Sequence, residues 1–439
     1  MRYSLRLPCL VLLLLIAGSS SALCQSVAPT ADDLGLRSPR LKQLWEQIQA
    51  GTPDAEAQFF AGLTDGTPLV EPVTDDPTRS LVTFLWRGKP TTRRVAVIGG
   101  RPVTDWEAPL EKLPGTEIWY RTELLPSDAR FTYSMIIDGL AEQPDKIEEI
   151  LNLKDFSAPD PLNPRIVDQE TYVVLPQALP FPYPMNAQAP KGKISDESIK
   201  SRILGTDVAL KVYVPANHAS KSARPRPWLL VAFDGGFEAM GTVLDDLIAS
   251  GKVAPVVAVG VINRKDKDGK TLRPKDLGYS EDFAKFVTQE LIPWARRHYR
   301  TSESRSHTII AGDSRGGGMA AFVALRYPGS VSKVLGARTA LENTPGYYPP
   351  TRFWLDPNNG WLIERYLEAP RRPLEFYLAI GRFDTSLWTD RLMNNRRFRD
   401  VLRAKGYRVH YAEWSGGHDP LLVQHAYVEG LMALAPGHR

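Results

Sequence analysis

The sequence predicts an α/β domain built on a mostly parallel sheet, with an all-β sandwich domain in front of it. From about Asp207 onward, short apolar runs of strand type alternate with helix-length amphipathic stretches, the pattern of a parallel sheet covered on both faces. Between Thr67 and about Val174 the pattern is instead one of short β-type runs separated by turn residues. Dividing the two is Leu175-Pro-Gln-Ala-Leu-Pro-Phe-Pro-Tyr-Pro184, whose four prolines make a stiff linker.

Taken in order, the 439-residue chain opens on Arg2 and Arg6, then the apolar run Cys9 to Ala17, then small residues up to Ala22. This is the layout of a secretory signal peptide over residues 1–24, too short for the ~20 apolar residues that span a bilayer. Export to the periplasm or the medium is therefore expected, with cleavage after Ala22 or Cys24. No other stretch qualifies as a membrane helix, and oligomeric state is left open. Cys9 and Cys24 are the only two cysteines, so the mature chain has no disulfide and no cysteine metal site or thiol nucleophile. A net charge of +4, spread without long runs of one sign, gives no footprint for nucleic acid.

Residues 25–65 carry one clear helix, which Ser38 caps, Pro39 starts and Gly51 stops; Leu41, Leu44, Trp45 and Ile48 line one face. Residues 66–175 form the sandwich, of immunoglobulin-like type, with strands at Leu81–Trp86, Arg94–Ile98, Glu117–Thr122 and Arg130–Ile136. Its aromatics Trp86, Trp106, Trp119 and Tyr133 are read as core, with a sugar platform as the alternative. Residues 176–206 hold the linker and an edge hairpin, and 207–439 the α/β domain. There the strands fall at Val208–Val214, Trp228–Asp234, Val256–Ile262, His307–Gly312, Val331–Ala337, Leu374–Gly381 and Tyr407–Glu413. Helices are expected at Thr242–Ser250, Glu281–His298, Gly316–Tyr327, Leu387–Lys405 and Pro420–Ala433.

Chemistry concentrates at Gly312-Asp-Ser314-Arg-Gly316, where an apolar strand turns sharply into a helix. The G-x-S-x-G pattern places Ser314 on a strained turn, its hydroxyl exposed beside a helix amino end. Such a serine needs an imidazole to take its proton. His418, in Trp414-Ser-Gly-Gly-His-Asp-Pro420 after the last strand, stands where an α/β-hydrolase carries its base. The acid belongs after the penultimate strand, which gives Asp384, with Asp390 as the alternative. The oxyanion donors would be the Arg315 N–H and an amide of Gly236 or Phe237, from the loop after Trp228–Asp234. No metal or organic cofactor is needed for this chemistry.

These residues resemble the enterochelin (enterobactin) esterase family, iron-siderophore esterases that join a β-sandwich to an α/β-hydrolase domain. The likeness runs from about Gly66 to the end of the chain. It is carried by Val82-Thr-Phe-Leu-Trp-Arg87, Asp160-Pro-Leu-Asn-Pro164, Phe233-Asp-Gly-Gly-Phe237, Glu290-Leu-Ile-Pro-Trp294, Gly312 to Gly317 and Gly416-Gly-His-Asp419. The resemblance implies Ser314 as nucleophile, His418 as base and Arg315 with the Gly236 loop as oxyanion donors. Arg273 matches loosely an arginine that lies near substrate in the family. Three features depart from the family: Arg315 stands where relatives often carry Phe or Tyr, Ala337 to Asn343 replaces a small Ser-rich turn, and the signal peptide is absent from cytoplasmic members. The implied substrate is the trilactone of a catecholate siderophore or its ferric complex. Arg315 with Arg338, Arg352 or Arg273 would meet its charge, and Trp354, Tyr347 and Tyr348 would stack on its rings. A feruloyl or acetyl esterase acting on polysaccharide is the second reading, a non-catalytic binding protein the third.

Overall fold

The computed structural model describes residues 30–99, 107–138, 157–180, 186, 188–234 apart from 220–224, 237–342, 344–345, 360–386 and 389–437. The signal peptide, Trp106, Gly236, Tyr347, Tyr348, Arg352 and Trp354 lie outside the described residues, and so do the side chains of 107, 217, 219, 237–239, 385, 386, 389 and 390. Residues up to Phe60 form one compact unit and those from Ala61 onward another. In the first, the helix Pro39–Gln49 is capped by the Ser38 hydroxyl, which accepts from the Leu41 N–H at 3.2 Å, and it buries Leu41, Leu44 and Trp45.

The second unit begins with the sandwich. One sheet runs β1 (Leu69–Pro72), β2 (Arg79–Arg87), β6 (Ile118–Pro126), β5 (Glu111–Lys112), all antiparallel. The other runs β4 (Glu107–Pro109), β3 (Val95–Gly99), β7 (Arg130–Ile137), β10 (Glu170–Val174), β9 (Ile166–Val167), with β8 (Ser157–Ala158) on β7. Inward-facing Val82, Phe84, Val97, Phe131 and Tyr133 make the core between them, Phe84 meeting Tyr133 edge to face at 5.1 Å. Trp119 and Tyr133 are buried. Asp160 and Asn163 explain the Asp-Pro-Leu-Asn-Pro segment. The Asp160 carboxylate accepts from Thr67 Oγ1 at 2.6 Å and Tyr133 Oη at 2.9 Å, and Asn163 Nδ2 donates to Tyr133 Oη at 3.0 Å. A buried polar knot of this kind is stable only when every member is satisfied.

The α/β domain is an eight-stranded sheet in the order β11-β12-β14-β13-β15-β16-β17-β20. The strands are β11 (Lys193–Ser201), β12 (Thr206–Val214), β13 (Trp228–Phe233), β14 (Val256–Val261), β15 (Thr308–Asp313), β16 (Lys333–Ala337), β17 (Glu375–Gly381) and β20 (Arg408–Trp414). From β14 to β20 every pairing is parallel, and β11 and β12 close one edge antiparallel. The central strands are apolar throughout, β14 reading Val-Val-Ala-Val-Gly-Val with all six residues buried, as a sheet covered on both faces requires. Because the chain passes from β13 out to β14 and then back to β15, the crevice at their carboxyl ends is a switch point, where open α/β sheets hold ligands.

Three helices depart from the sequence expectation, the one expected at Thr242–Ser250 spanning Phe237–Ala249. The predicted helix at Glu281–His298 contains a π-helical turn, Phe286–Leu291, before its last segment, Ile292–Tyr299. Pro293 lacks an N–H and its ring collides with the carbonyl four residues back, and widening the turn ahead of it relieves both. The helix expected from Leu387 starts at Arg391, after a two-residue antiparallel ladder of β18 (Thr385–Ser386) and β19 (Thr389–Asp390). A helix at Trp361–Glu368 was not foreseen. Gly360 holds its N-cap at φ 70°, so no side chain there announces a helix start.

Tyr133→Phe is expected to lower stability by about 1–2 kcal/mol, because it leaves the Asp160 carboxylate and Asn163 each one partner short. The shift in urea midpoint of the purified chain measures it.

Candidate active site

Ser314 occupies the reversal between β15 and the helix Arg315–Arg326 at φ 53°, ψ −117°. Close packing imposes that turn and explains the two flanking glycines. A Cβ on Gly312 would lie 2.1 Å from the Gly316 carbonyl carbon, and one on Gly316 would lie 2.4 Å from the Phe233 oxygen of β13. Hydrogen bonds pin the reversal to the turn after β16: Ser314 N–H donates to Ala337 O and Ala340 N–H to Ser314 O, both at 2.9 Å. Arg315 contributes the first N–H of the helix, among the four that a helix leaves unsatisfied. No hydrogen bond among the described residues engages the Ser314 hydroxyl.

His418 and Asp384 meet after strands β20 and β17. Nδ1 of His418 lies 2.8 Å from Asp384 Oδ2. Asp384 is buried, while a third of the His418 side chain is exposed. The His loop reaches inward by crossing the end of β17, where a Cβ on Gly381 would come within 2.2 Å of the Gly416 oxygen. Phe383 N–H donates to that same oxygen at 3.0 Å, tying the Asp384 turn to the His418 loop.

Two arginines complete the electrostatics, and Arg391 is one that sequence reasoning missed. Its Nε donates to Glu342 at 2.8 Å, and its Nη1 stands 3.4 Å from both Asp384 Oδ1 and His418 Nδ1. Arg338, expected to face substrate, instead directs its guanidinium at Asp313, beside the serine. Its Nε donates to Oδ1 at 2.7 Å and its Nη2 to Oδ2. Burial would raise the Asp384 carboxyl, but the facing His418 and then Arg391 and Arg338 outweigh it and hold the group at about 2. Asp384 is therefore an anion at neutral pH, and His418 donates to it from Nδ1. The imidazole's own pKa is lowered by burial first and then by Arg338 and Arg391, against the raising effect of Asp384. The ring is neutral at physiological pH, the form a general base requires.

The other predicted residues are placed as follows. Asp390 is in β19, with its side chain outside the described set. Asp419 caps the helix Pro420–Leu434, accepting from Leu422 N–H and Gly417 N–H, and burial pushes its carboxyl up to about 6. Arg273 spends its guanidinium on Asp234, with Nη2 at 2.6 Å and Nε at 2.9 Å. Asp234 itself has φ 54° and stands just before the Gly235-Gly236 loop, and Asn263 Nδ2 donates to it at 3.0 Å. Arg273 thus braces the loop expected to supply the second oxyanion donor. Phe237 opens the helix Phe237–Ala249 on the far side of that loop. His425 is buried on an inward face of the last helix against Trp414, and its Nε2 lies 3.2 Å from Pro180 O. Nothing in the sequence around Arg391 marked it, because the helix Arg391–Ala404 carries five arginines.

A parallel sheet with a strained serine turn at its switch point, and an aspartate–histidine pair on the same edge, defines a serine ester hydrolase of α/β-hydrolase type. The Esterase family model matches residues 201–428, and that of the enterochelin esterase N-terminal domain matches 81–181. The chain belongs to the enterochelin esterase family. It is 25% identical over 419 residues to the iron(III) enterobactin esterase of Dickeya dadantii, covering 85% of this chain and 91% of that one. To the iron(III) salmochelin esterase of Escherichia coli O6:H1 it is 26% identical over 409 residues, covering 85% and 94%. The enterobactin esterase of Shigella flexneri, solved in the presence of enterobactin, superposes with a TM-score of 0.66 at 24% identity, covering 86% and 97%.

The acid limb of kcat/KM against pH is expected below the ordinary imidazole value of about 6.5, since burial and then both arginines disfavour the imidazolium. Arg391→Met should move that limb upward. Asp384→Asn should cost about 10³–10⁴ in kcat on a small chromogenic ester, because the ring loses its fixed tautomer.

Proposed function

We propose that the chain hydrolyses the ester bonds of a catecholate siderophore of enterobactin type, free or as its ferric complex, after export from the cytoplasm. The observation that carries this is the joining, in one chain, of an enterochelin esterase amino-terminal domain and an esterase domain holding Ser314, Asp384 and His418 on one sheet edge. The names of the relatives support the substrate class, and the amino-terminal apolar segment supports export.

In this reading Ser314 attacks the lactone carbonyl while His418 Nε2 takes its proton, and Asp384 steadies the imidazolium that forms. The negative charge on the tetrahedral oxygen is met by the Arg315 N–H and by an amide of Gly236 or Phe237. Collapse releases the alcohol, protonated by His418, and leaves an acyl-serine. Water, deprotonated by the same ring, then attacks the acyl group and frees the carboxylate. The serine-to-imidazole hydrogen bond forms with substrate in place, as it does in enzymes whose unliganded catalytic contacts are long. Arg315, half-buried and next to Ser314 in the chain, is proposed to meet catecholate charge. Arg273 and Arg338 act on carboxylates of the protein. Tyr347 and Trp354 keep their proposed role of stacking on catechol rings.

The purified mature chain is expected to open enterobactin and ferric enterobactin to linear fragments, followed by chromatography, with Ser314→Ala slower by at least about 10⁴. Release of ferulate from feruloylated xylan with the trilactone left intact would replace this reading with the polysaccharide one. Amino-terminal sequencing of the exported protein should begin at Leu23 or Gln25.

A further inference from the structure

Phe383 stands between the end of β17 and Asp384, yet its ring does not join either core of the α/β domain. It belongs to the apolar cluster of the sandwich, with Phe84, Phe131 and Leu175, and is 9% exposed. The sandwich touches the histidine loop as well. Arg130 N–H, at the start of β7, donates to Ser415 O at 2.8 Å. Arg382 Nη1 reaches Asp128 at 3.3 Å and Ser415 Oγ at 3.0 Å. Within the α/β domain, Arg382 N–H donates to Trp414 O at 2.7 Å and Phe383 N–H to Gly416 O at 3.0 Å. The acid's turn, the base's loop and one corner of the sandwich are thereby laced into a single knot.

We infer that the amino-terminal sandwich positions the Asp384–His418 pair, and that Phe383 is the positioning residue through which it acts. This rests on the reading of Asp384 and His418 as acid and base. The physical need is plain. The loop Ser415-Gly416-Gly417 has little stiffness of its own, and a displacement of about 1 Å in a catalytic group costs about 10²-fold in rate. An aromatic ring sunk in a neighbouring core fixes the residue before Asp384 in three dimensions. Main-chain hydrogen bonds then carry that position to the loop of His418. On this account the sandwich is part of how the site is built, beyond any contact it makes with substrate.

The test is Phe383→Ala in the full-length chain, read on a small chromogenic ester too short to reach the sandwich. Expected is a fall in kcat of about 10–100-fold with KM within about two-fold of wild type. The acid limb of the pH profile should also fall, because the one group that favours the imidazolium is held less firmly. Phe383→Leu, which refills the site, should restore most of kcat. Tyr133→Phe, which weakens the sandwich at the Asp160 and Asn163 hydrogen bonds and keeps the ring in the core, should leave kcat and the pH profile unchanged. A Phe383→Ala enzyme that is less stable but wild-type in kcat and pH profile overturns the inference, and so does an equal loss of kcat in Tyr133→Phe. Should Phe383→Ala fail to fold, Arg382→Ala decides: kcat reduced about 3–10-fold at unchanged KM supports the inference, and wild-type kcat overturns it. Full activity in Ser314→Ala would sink the hydrolase reading itself. A dead Ser314→Ala beside an unaltered Phe383→Ala sinks only the role of the sandwich.

Discussion

The reversal of the chain at Ser314 is the constraint on which the remainder of the site depends. A non-glycine residue held at φ 53° is strained by roughly 1–3 kcal/mol, and it persists because its surroundings leave no alternative. Those surroundings are the missing side chains at Gly312 and Gly316, the two hydrogen bonds to the turn after β16, and the ion pair of Arg338 with Asp313. Arg338 has φ 47° itself, so two unusual backbone positions brace each other across adjacent strands.

Arginine is abundant around the site, and most of it is committed to protein carboxylates. Arg338 neutralises Asp313, Arg391 neutralises Glu342 and reaches Asp384, and Arg273 neutralises Asp234. Buried pairs of this sort add little net stability, since desolvation offsets attraction, but they fix geometry. Each one here orients a different part: the nucleophile's strand, the acid, and the loop after β13. The residual field of Arg338 and Arg391 also falls on His418 and adds to burial in keeping the ring neutral. Two of the arginines expected to hold an anionic substrate, Arg338 and Arg273, thus direct their charge at carboxylates of the protein that shape the site.

The sandwich and the α/β domain form one compact unit, and the site explains why. The His418 loop and the Asp384 turn lie at the end of the sheet farthest from β11 and β12, where β20 is the edge strand among the described residues. The sandwich edge at Asp128 and Arg130 supplies backing there. A loop that carries function on an otherwise open edge is supported by the neighbouring domain.

What the sequence by itself determined was whatever depends on local pattern. Period and turn residues announced nearly every strand of the parallel sheet, and the glycines around Ser314 and His418 announced the sharp turn and the inward loop, because steric exclusion at a tight turn is written in the residues that make it. The apolar runs likewise announced a sandwich ahead of the sheet. Only the tertiary structure decided which carboxylate meets His418, what Arg338, Arg273 and Arg391 are for, and that Phe383 sits in the core of the other domain. Those outcomes depend on pairs such as Arg391 with Glu342, 49 residues apart in the chain. A guanidinium or a benzyl group reads the same in sequence whether it faces water, a carboxylate or a neighbouring core, and only the packing of distant strands fixes which of these it meets.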